Sequence, residues 1–523
     1  MSRASRKVRR TVERKFAIKN SVGRIIIVAA LLILQVVLLI LGFLFLFSKL
    51  PLLMYVMYGL GFVFVIALNA KDHANDIKLI WVIIILSFPV VGIILYLLFH
   101  YSPAMHVMKK KIRNADNFMM ENLRQDERTT ALLEKAAPHE YTMFKYLKDF
   151  ALYPFYTDTD TRYYGDATEC YHAMIEDIRN AKSFVFMEYH AIENKEAFEP
   201  LHDALKTKAL EGVDVRIIYD DVGSFVFVNP EFKRMLESEG IKCCIFNPMS
   251  PLLDVFMNNR DHRKICVVDG EVGYTGGFNI ANEYFNITHP FGQWYDTGMR
   301  MEGPAVKNLT VMFLSMWELY DDSMHDLDLK LFDQVIQPRG GSGFIVPYGD
   351  SPLDEELTGE NVYINILYNS KTYCWFTTPY LVISENMRRA ISLASKRGVD
   401  VRIITPGIPD KVTVNKLTKS YYSSLIAAGC KIYEYTPGFI HAKMCLSDNK
   451  VAVVGTINLD FRSLYHHFED AVLMYGTDCI LDIKNGFDSL MTECENVTEK
   501  YTTRPNILVY IGRTILRLVA PLL

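Results

Sequence analysis

The feature that most constrains the fold of this chain is an internal duplication in its C-terminal part. The heptapeptide GVDVRII at residues 212–218 recurs unchanged at residues 398–404, and His262-Arg263-Lys264 corresponds to His441-Ala442-Lys443. Self-similarity of this kind indicates repeated structural units. After about residue 140 the sequence alternates between helix-like and strand-like stretches, so each unit is predicted to be an α/β lobe. We therefore expect two related lobes with a shared active-site cleft.

The duplication also sets the expected domain boundaries. The glycine-rich segment PRGGSG at residues 338–343 is the best candidate for a linker between the lobes. We expect a first lobe at residues 141–337 and a second at residues 338–500. The other expected segments are a basic arm (1–24), transmembrane segments (25–101), a connecting segment (102–140) and a C-terminal amphipathic membrane-interface segment (501–523).

Three stretches without a charged residue lie near the N-terminus, at residues 25–47, 52–68 and 79–99, and contain 23, 17 and 21 residues. A transmembrane helix needs about 20 apolar residues. We interpret all three as transmembrane helices, with the second at the lower limit of length. The topology stays open, because the basic residues at 1–24 and at 109–113 both favour the cytoplasmic side. Three full crossings cannot place both there.

The charge distribution argues against a nucleic-acid partner. Asp and Glu number 60, Lys and Arg number 56, and nine of the basic residues lie in the arm at 1–24. The rest of the chain is therefore acidic, whereas nucleic-acid binding needs a basic surface. The arm itself is either a contact for anionic lipid headgroups or a solvated tail. The nine cysteines form no CxxC pair, which indicates buried thiols in a reducing compartment rather than a disulfide framework or a zinc site.

The corresponding motifs carry the candidate chemistry. Both have the form H-x-K-x-x-x-x-D, and each is followed at the same spacing by a glycine and an asparagine. On a strand, residues i and i+2 point to the same face, so each histidine is expected beside its lysine. We assign these residues to one phosphate-binding catalytic site: His262, Lys264, Asp269, Asn279, His441, Lys443, Asp448 and Asn458.

Two facing lobes would enclose one phosphate group between these side chains. One imidazole can attack phosphorus while the other protonates the leaving alkoxide. The lysines, together with Asn279 and Asn458, would stabilise the charge that develops on the phosphate oxygens. This chemistry requires neither a metal nor a cofactor. His466-His467 resembles a metal-binding pair, but no other ligand-like spacing accompanies it. We interpret it as packing near Glu469.

The duplicated motifs resemble the paired HKD motifs of the phospholipase D superfamily. Their flanking sequences are similar to those of bacterial cardiolipin synthases, and so are the apolar segment at 81–99 and the C-terminal residues 516–523. The similarity extends from about residue 52 to the end, and its departures are the apolar stretch at 25–47 and the arm before it. The flanking sequences are NRDHRK (259–264), YTGGFNI (274–280), TPY (378–380) and NLDFRS (458–463).

The resemblance implies two phospholipase D-type lobes and transfer of a phosphatidyl group through a phosphatidyl-histidine. Phosphatidylglycerol would be the substrate, with no cofactor and no nucleic acid. We expect His262 to be the nucleophile and His441 the acid and then the base, with Asp296 and Glu469 orienting the imidazoles. Glu188 is a weaker candidate for the pocket, and a strand-end salt bridge explains it equally well.

The resemblance, together with the apolar stretches, also implies a multi-pass protein of the bacterial cell membrane. The basic cluster at 109–113 and the cysteines that look reduced predict a catalytic part in the cytoplasm. The resemblance gives no oligomeric state. The C-terminal residues 506–523 are either a helix in the membrane interface or a terminus packed on the core. A phospholipase D or a phosphatidylserine synthase would use the same site with water or serine as the acceptor. A membrane-anchored nuclease and a non-enzymatic lipid-binding scaffold are further alternatives. The acidic charge of the chain disfavours a nuclease. A scaffold could lose residues of the catalytic motifs, but both motifs are complete.

Overall fold

The computed structural model describes residues 30–522, apart from 32, 36, 39, 43, 46–47, 72–74, 101–102, 122, 250–257, 321–335, 355 and 503–505. The basic arm expected at residues 1–24 lies outside the described residues, as does the start of the apolar stretch at 25–47. The described positions between 30 and 49 are helical.

Four further helices precede the α/β part. They are α1 (Pro51–Asn69), α2 (Asn75–Ser87), α3 (Pro89–His100) and α4 (Pro103–Glu121). In the described part of the chain, one helical segment, Leu52–Asn69, is long and apolar enough to cross a bilayer, and 17% of it is buried against the protein. Its outward-facing apolar side chains suit contact with lipid. By its length and composition, this helix suggests that the chain is anchored in a membrane.

The apolar stretch at 79–99 does not form the single spanning helix that its length predicts. It bends at Phe88, so that α3 folds back on α2 and the rings of Trp81 and Tyr96 lie 5.3 Å apart. On one straight helix these residues would be separated by about 22 Å. Pro89 disfavours helical conformation at the residue before it. Gly92 allows the close contact, since a Cβ there would lie 2.7 Å from Cα of Ile85.

The first lobe is built on a seven-stranded sheet with the order β1-β9-β7-β6-β2-β3-β4. The strands of this half are β1 (Asp160–Tyr164), β2 (Phe184–Tyr189), β3 (Asp214–Asp220), β4 (Lys242–Phe246), β5 (Arg260–Asp261), β6 (Lys264–Val268), β7 (Val272–Gly276), β8 (Gln293–Tyr295) and β9 (Gly298–Glu302). Its helices, with the two that precede them, are α5 (Glu127–Ala136), α6 (Pro138–Asp149), α7 (Ala167–Arg179), α8 (Glu199–Leu210), α9 (Asp221–Ser224), α10 (Pro230–Ser238) and α11 (Val306–Trp317).

The second lobe is built on a sheet whose main path is β10-β19-β17-β16-β11-β13-β14-β20. Its strands are β10 (Phe344–Asp350), β11 (Tyr373–Thr377), β12 (Leu381–Val382), β13 (Asp400–Pro406), β14 (Lys431–Tyr435), β15 (Gly438–Ile440), β16 (Lys443–Ser447), β17 (Val451–Gly455), β18 (Leu459–Asp460), β19 (His467–Tyr475) and β20 (Cys494–Asn496). Its helices are α12 (Thr358–Asn369), α13 (Glu385–Lys396), α14 (Val412–Ile426), α15 (Phe461–His466), α16 (Cys479–Thr492) and α17 (Ile507–Val519).

The two sheets repeat one arrangement. In the first, β2 pairs in parallel with β3 and antiparallel with β6; in the second, β11 pairs in parallel with β13 and antiparallel with β16. The repeated heptapeptide leads into β3 and β13 and supplies most of each strand, and each histidine motif leads into β6 or β16. The structure thus confirms the two duplicated α/β lobes. Helix α11 lies between them, packed against β2 and β6 of one sheet and β10 of the other.

Two short strand pairs cross from one lobe to the other. Strand β5 of the first half pairs with the start of β19, and β15 of the second half pairs with β8. Each crossing strand ends one residue before a motif histidine. The exchange therefore carries His262 to the edge of the second lobe and His441 to the edge of the first.

The C-terminal helix α17 has one packed side and one apolar exposed side. Its Arg517 donates a hydrogen bond of 3.0 Å from Nε to Oγ of Ser420 and stacks over the ring of Tyr421. Ile507, Ile511 and Ile515 are exposed. Both expectations for this segment are thus partly met, since the helix rests on α14 and also presents an apolar face.

Candidate active site

The two motif histidines occupy equivalent positions at the junction of the lobes. The backbone N–H of His262 donates to the carbonyl of Phe468 at 2.8 Å, and that of His441 donates to the carbonyl of Tyr295, also at 2.8 Å. These bonds extend the two crossing strand pairs by one residue. Both side chains are buried. The strand pairing therefore fixes the backbone of each histidine and holds its imidazole in a centre with little access to water.

Each imidazole is held by a carboxylate from the opposite lobe. Nδ1 of His262 lies 2.7 Å from Oε2 of Glu469, and Nδ1 of His441 lies 2.7 Å from Oδ2 of Asp296. The structure thus brings both acids to the histidines, as the sequence predicts, and adds that the pairing is crosswise. A carboxylate on Nδ1 holds the proton there and leaves the Nε2 lone pair for chemistry.

The motif lysines lie beside the histidines of their own lobes. Nζ of Lys264 donates to the carbonyl of His262 at 2.6 Å. Nζ of Lys443 donates to the carbonyl of His441 and lies 2.8 and 3.0 Å from the two ring nitrogens of that residue. Burial lowers the pKa of Lys264 to about 8 and that of Lys443 to about 7. Both ammonium groups are therefore poised for an anionic ligand that would compensate their lost hydration.

The same environment keeps the imidazoles neutral. Burial, and then the charge of Lys264, lowers the pKa of His262 well below its usual value. Burial, and then Lys443, lowers the pKa of His441 to about 4. A neutral imidazole has the free electron pair that a nucleophile or a base requires.

The two motif asparagines differ in their contacts. Oδ1 of Asn279 accepts the N–H of Ala191 at 3.2 Å, and its Nδ2 donates to the hydroxyl of Tyr284 at 2.8 Å. Both ends of this amide are engaged within the protein. Oδ1 of Asn458 is buried and has no hydrogen-bond partner among the residues that the structure describes. Phosphate binding by these amides stays a prediction, and Asn458 is the better placed of the two.

The structure does not bring Asp269 and Asp448 into the site, which corrects their assignment to the catalytic set. The Asp269 carboxylate accepts the N–H groups of residues 182, 183 and 184 at 2.8, 2.7 and 2.9 Å. Asp448 does the same for residues 371, 372 and 373 at 2.7, 2.8 and 2.9 Å. Each aspartate follows the far end of the strand that begins with its motif lysine, so the two residues are about 17 Å apart along that strand. These acids fasten a turn to the start of β2 or β11.

Glu188 lies in a buried group with Asp261 and Arg263. Its Oε1 is 3.8 Å from Nη1 of Arg263, and its side chain is fully buried. Burial, and then the charge of Asp261, raises the pKa of Glu188 well above its usual value. Asp261 and Arg263 flank His262, so this group supports the backbone on both sides of the histidine. Contact of Glu188 with the substrate stays a prediction.

Asp470 is a buried acid that sequence reasoning missed. It accepts the backbone N–H of Lys264 at 3.0 Å and the hydroxyl of Thr275 at 2.5 Å. Burial raises the pKa of Asp470 to about 6. It ties β6 of the first lobe to β19 of the second. Its only signal in the sequence is its position beside Glu469.

Two further histidines lie at the centre. The ring of His190 is 5.0 Å from that of His262, and the ring of His467 is 5.4 Å from it. His467 is near Glu469, as expected, but the structure also brings it to His262, so packing alone does not describe it. His190 follows β2 and carries no motif, so only the fold could reveal it.

Aromatic side chains surround the other histidine. The rings of Tyr284, Trp294 and Phe439 lie 5.3, 5.3 and 5.9 Å from that of His441. Tyr284 and Trp294 come from the first half of the chain and Phe439 from the second. Such a wall limits the access of water to this side of the centre.

Two histidine–lysine pairs, one from each of two duplicated α/β lobes, meet at one buried centre and define a phosphodiester-transferring enzyme of the phospholipase D type. The family described as "Cardiolipin synthase, PLD-like domain" matches residues 174–317 and 363–491, and "Phospholipase_D-nuclease N-terminal" matches residues 60–99. The chain belongs to the cardiolipin synthase family of PLD-like phosphatidyltransferases.

Relatives along most of the chain support this assignment. A cardiolipin synthase of Clostridium perfringens is 31% identical over 85% of this chain and 93% of its own length. Another, from Halalkalibacterium halodurans, is 31% identical over 78% and 81%. An uncharacterized protein of Streptococcus mutans is 38% identical over 85% and 96%.

The crystal structure of a phosphatidylserine synthase from Haemophilus influenzae is similar to this fold. The TM-score is 0.55 over 73% of this chain and 100% of that one, at 14% identity. At this level of identity the likeness concerns the fold alone.

Proposed function

We propose that this enzyme is a cardiolipin synthase that transfers a phosphatidyl group from one phosphatidylglycerol to another and releases glycerol. The observation that carries the proposal is the crosswise pairing of His262 with Glu469 and of His441 with Asp296. It provides two imidazoles, each oriented by a carboxylate, at the junction of the lobes. The names of the curated relatives favour phosphatidylglycerol over other substrates.

The reaction has two displacements at phosphorus. In the first, His262 attacks the phosphodiester of one phosphatidylglycerol, the bond from phosphorus to the glycerol oxygen breaks, and His441 gives that oxygen a proton. In the second, His441 removes a proton from a hydroxyl of another phosphatidylglycerol. The resulting oxygen attacks the phosphatidyl-histidine and frees His262. Lys264 and Lys443 balance the charge on phosphorus oxygens in both steps.

The contacts of Lys443 favour His441 as the group that transfers the proton. Its ammonium lies against both ring nitrogens of His441, and burial lowers the pKa of Lys443 to about 7. An ammonium in this place favours the neutral ring in the free enzyme. A bound phosphate would offset that charge and let the imidazole take up a proton.

The position of α17 supports access from a lipid surface. Residues 520–522, which follow this helix, pack against α15, and α15 precedes His467 and Glu469 directly. The exposed apolar face of α17 is therefore connected through one short helix to the catalytic centre. We place the enzyme in the bacterial cell membrane with its lobes on the cytoplasmic side. Crossings beyond α1 belong to this proposal.

A phospholipase D or a phosphatidylserine synthase is the second candidate, since the same centre serves water or serine. The decisive experiment supplies the purified enzyme with labelled phosphatidylglycerol in liposomes and identifies the products by mass. We expect labelled cardiolipin and one glycerol for each cardiolipin. Phosphatidic acid without cardiolipin would establish the phospholipase instead, and phosphatidylserine formed only when serine is added would establish the serine transferase.

A further inference from the structure

His467 is a largely buried side chain for which the transfer reaction has no assigned use. Its side chain is 10% exposed, and neither of its ring nitrogens has a hydrogen-bond partner among the described residues. Nδ1 lies 3.5 Å from Oε1 of Glu469. Buried polar atoms are nearly always satisfied in proteins, so an imidazole in this state points to a ligand.

The surroundings of His467 have the composition of a metal site. His262, His467 and Glu469 each offer one ligand atom, and these three atoms lie within 4.8 Å of one another. In the described part of the chain, no other group of three or more His, Cys, Asp or Glu residues meets this condition. Zn²⁺ in proteins is bound by imidazole nitrogens and carboxylate oxygens at about 2.0–2.2 Å. Tetrahedral ligands then lie about 3.4 Å apart, so side-chain shifts of about 1 Å complete the site.

His190 lies beside this group, and although its ring nitrogens fall outside the 4.8 Å that the three residues share, a movement of its side chain would add a fourth ligand. Its ring lies 5.0 Å from that of His262 and 6.4 Å from that of His467. Its Nδ1 lies 2.7 Å from the carbonyl oxygen of Asp261. Histidines that bind metals commonly donate their other ring nitrogen to such a carbonyl, which orients the free nitrogen.

We propose that His262, His467 and Glu469, with His190, bind a divalent transition-metal ion such as Zn²⁺, and that the bound ion inhibits the enzyme. The binding stands on the geometry alone, whereas the inhibition rests on the proposed transfer through His262. Coordination of His262 and Glu469 removes both the attacking imidazole and its orienting carboxylate from the reaction. Chelation then restores activity, so the ion regulates the enzyme and is no cofactor of it.

Binding is tested directly on the full-length enzyme, purified in detergent and freed of metal by EDTA followed by gel filtration. Zn²⁺ is titrated in competition with a chromophoric chelator, without lipid substrate. We expect one tight site per chain, and a loss of affinity of about tenfold or more in His467→Ala. His467→Gln, which keeps a polar side chain, should lose affinity similarly if the variant folds. The matched control is His172→Ala, because His172 is exposed on α7.

Inhibition is measured on the same proteins with phosphatidylglycerol liposomes, each variant relative to its own activity in EDTA. The expected result is inhibition of the wild type at the Zn²⁺ concentration that fills the site, reversal by EDTA, and a shift of about tenfold or more to higher concentration in His467→Ala. No tight site, or an affinity equal in wild type and His467→Ala, overturns the metal site. Stimulation by Zn²⁺ overturns the inhibition. If Zn²⁺ binds as expected but the metal-free enzyme forms no cardiolipin, the proposed function fails while the metal site stands.

Discussion

Nδ1 of His262 and Oε2 of Glu469 lie 2.7 Å apart although they come from different halves of the chain. The reciprocal pair, His441 and Asp296, has the same distance. Neither lobe alone contains an imidazole together with its orienting carboxylate. The catalytic centre is therefore a property of the junction, and it forms only when β5 and β15 have crossed to their partner strands.

Glu469→Gln should lower the rate of transfer by about 100-fold or more while the protein remains folded. The amide is close in size to the carboxylate, but it neither stabilises an imidazolium nor holds the same tautomer. The measurement is the initial rate of cardiolipin formation, with Glu495→Gln on the exposed β20 as the matched control. A rate within a factor of a few of wild type would show that the contact has no catalytic role.

His262→Ala and His441→Ala should each abolish cardiolipin formation while leaving a folded, membrane-bound protein. Phosphatidyl-p-nitrophenol separates their roles, because its leaving group departs without a proton. Labelled substrate of this kind should attach covalently to His441→Ala and not to His262→Ala, detected by intact-protein mass spectrometry. The opposite pattern would identify His441 as the nucleophile.

The efficiency of transfer should fall as the pH rises above about 7. Burial lowers the pKa of Lys443 to about 7 and that of Lys264 to about 8. Each ammonium is charged below its pKa and loses its charge above it, so phosphate binding weakens in two stages. The measurement is kcat/KM against pH, with the decline mainly in KM because bound phosphate retains the proton.

Lys443→Arg provides the test of this assignment. The guanidinium stays charged throughout the range, so the decline should begin only near the pKa of Lys264, about 8. An unchanged profile in Lys443→Arg would mean that another group governs the alkaline limb.

Asp269→Ala should affect stability more than chemistry. The carboxylate accepts three backbone N–H groups at the start of β2, and their loss costs roughly 2–3 kcal/mol of the free energy of unfolding. We expect a fall in Tm, measured in detergent, and a transfer rate per folded molecule within about threefold of wild type. The control is Asp482→Ala, an exposed position on α16. A fully folded variant with the activity loss of His262→Ala would return Asp269 to the catalytic set.

Glutamate at Ile511 and Ile515 should impair action on membranes. Both residues lie on the exposed face of α17, and charges there oppose burial in the lipid interface. Cardiolipin formation from liposomes should fall several-fold, whereas turnover of a short-chain soluble phosphodiester should not. Leu481→Glu is the matched control, since Leu481 is an apolar residue that is also exposed, on α16. Equal losses on both substrates would point to misfolding instead of docking.

The duplication made much of this fold predictable. Two matching motifs required two similar lobes, and the period of a strand placed Lys264 beside His262 and Lys443 beside His441. The crosswise carboxylates were harder, because spacing along the chain reveals the acids but not which lobe they serve. That assignment depends on β5 and β8 pairing with strands far away in sequence.

The errors have equally specific causes. Asp269 and Asp448 follow their histidines at the same spacing because the turn after each strand requires an aspartate. Repetition alone does not distinguish a residue that a turn needs from a catalytic residue. The stretch at 79–99 met a criterion of length that takes no account of the bend that Pro89 causes at Phe88. His190 lies outside both motifs, so nothing in its sequence context indicates its contact with His262.

The strand exchange has a consequence for how such a centre can evolve. If two identical subunits formed it, any substitution near one histidine would appear at the other as well. Joining the copies in one chain removes that symmetry, so each side of the cleft can acquire its own surroundings. Here the ring of His262 has two further imidazoles beside it, and that of His441 has three aromatic rings. The fused chain can thus assign attack on phosphorus and proton transfer to different partners, a division of labour that a homodimer cannot encode.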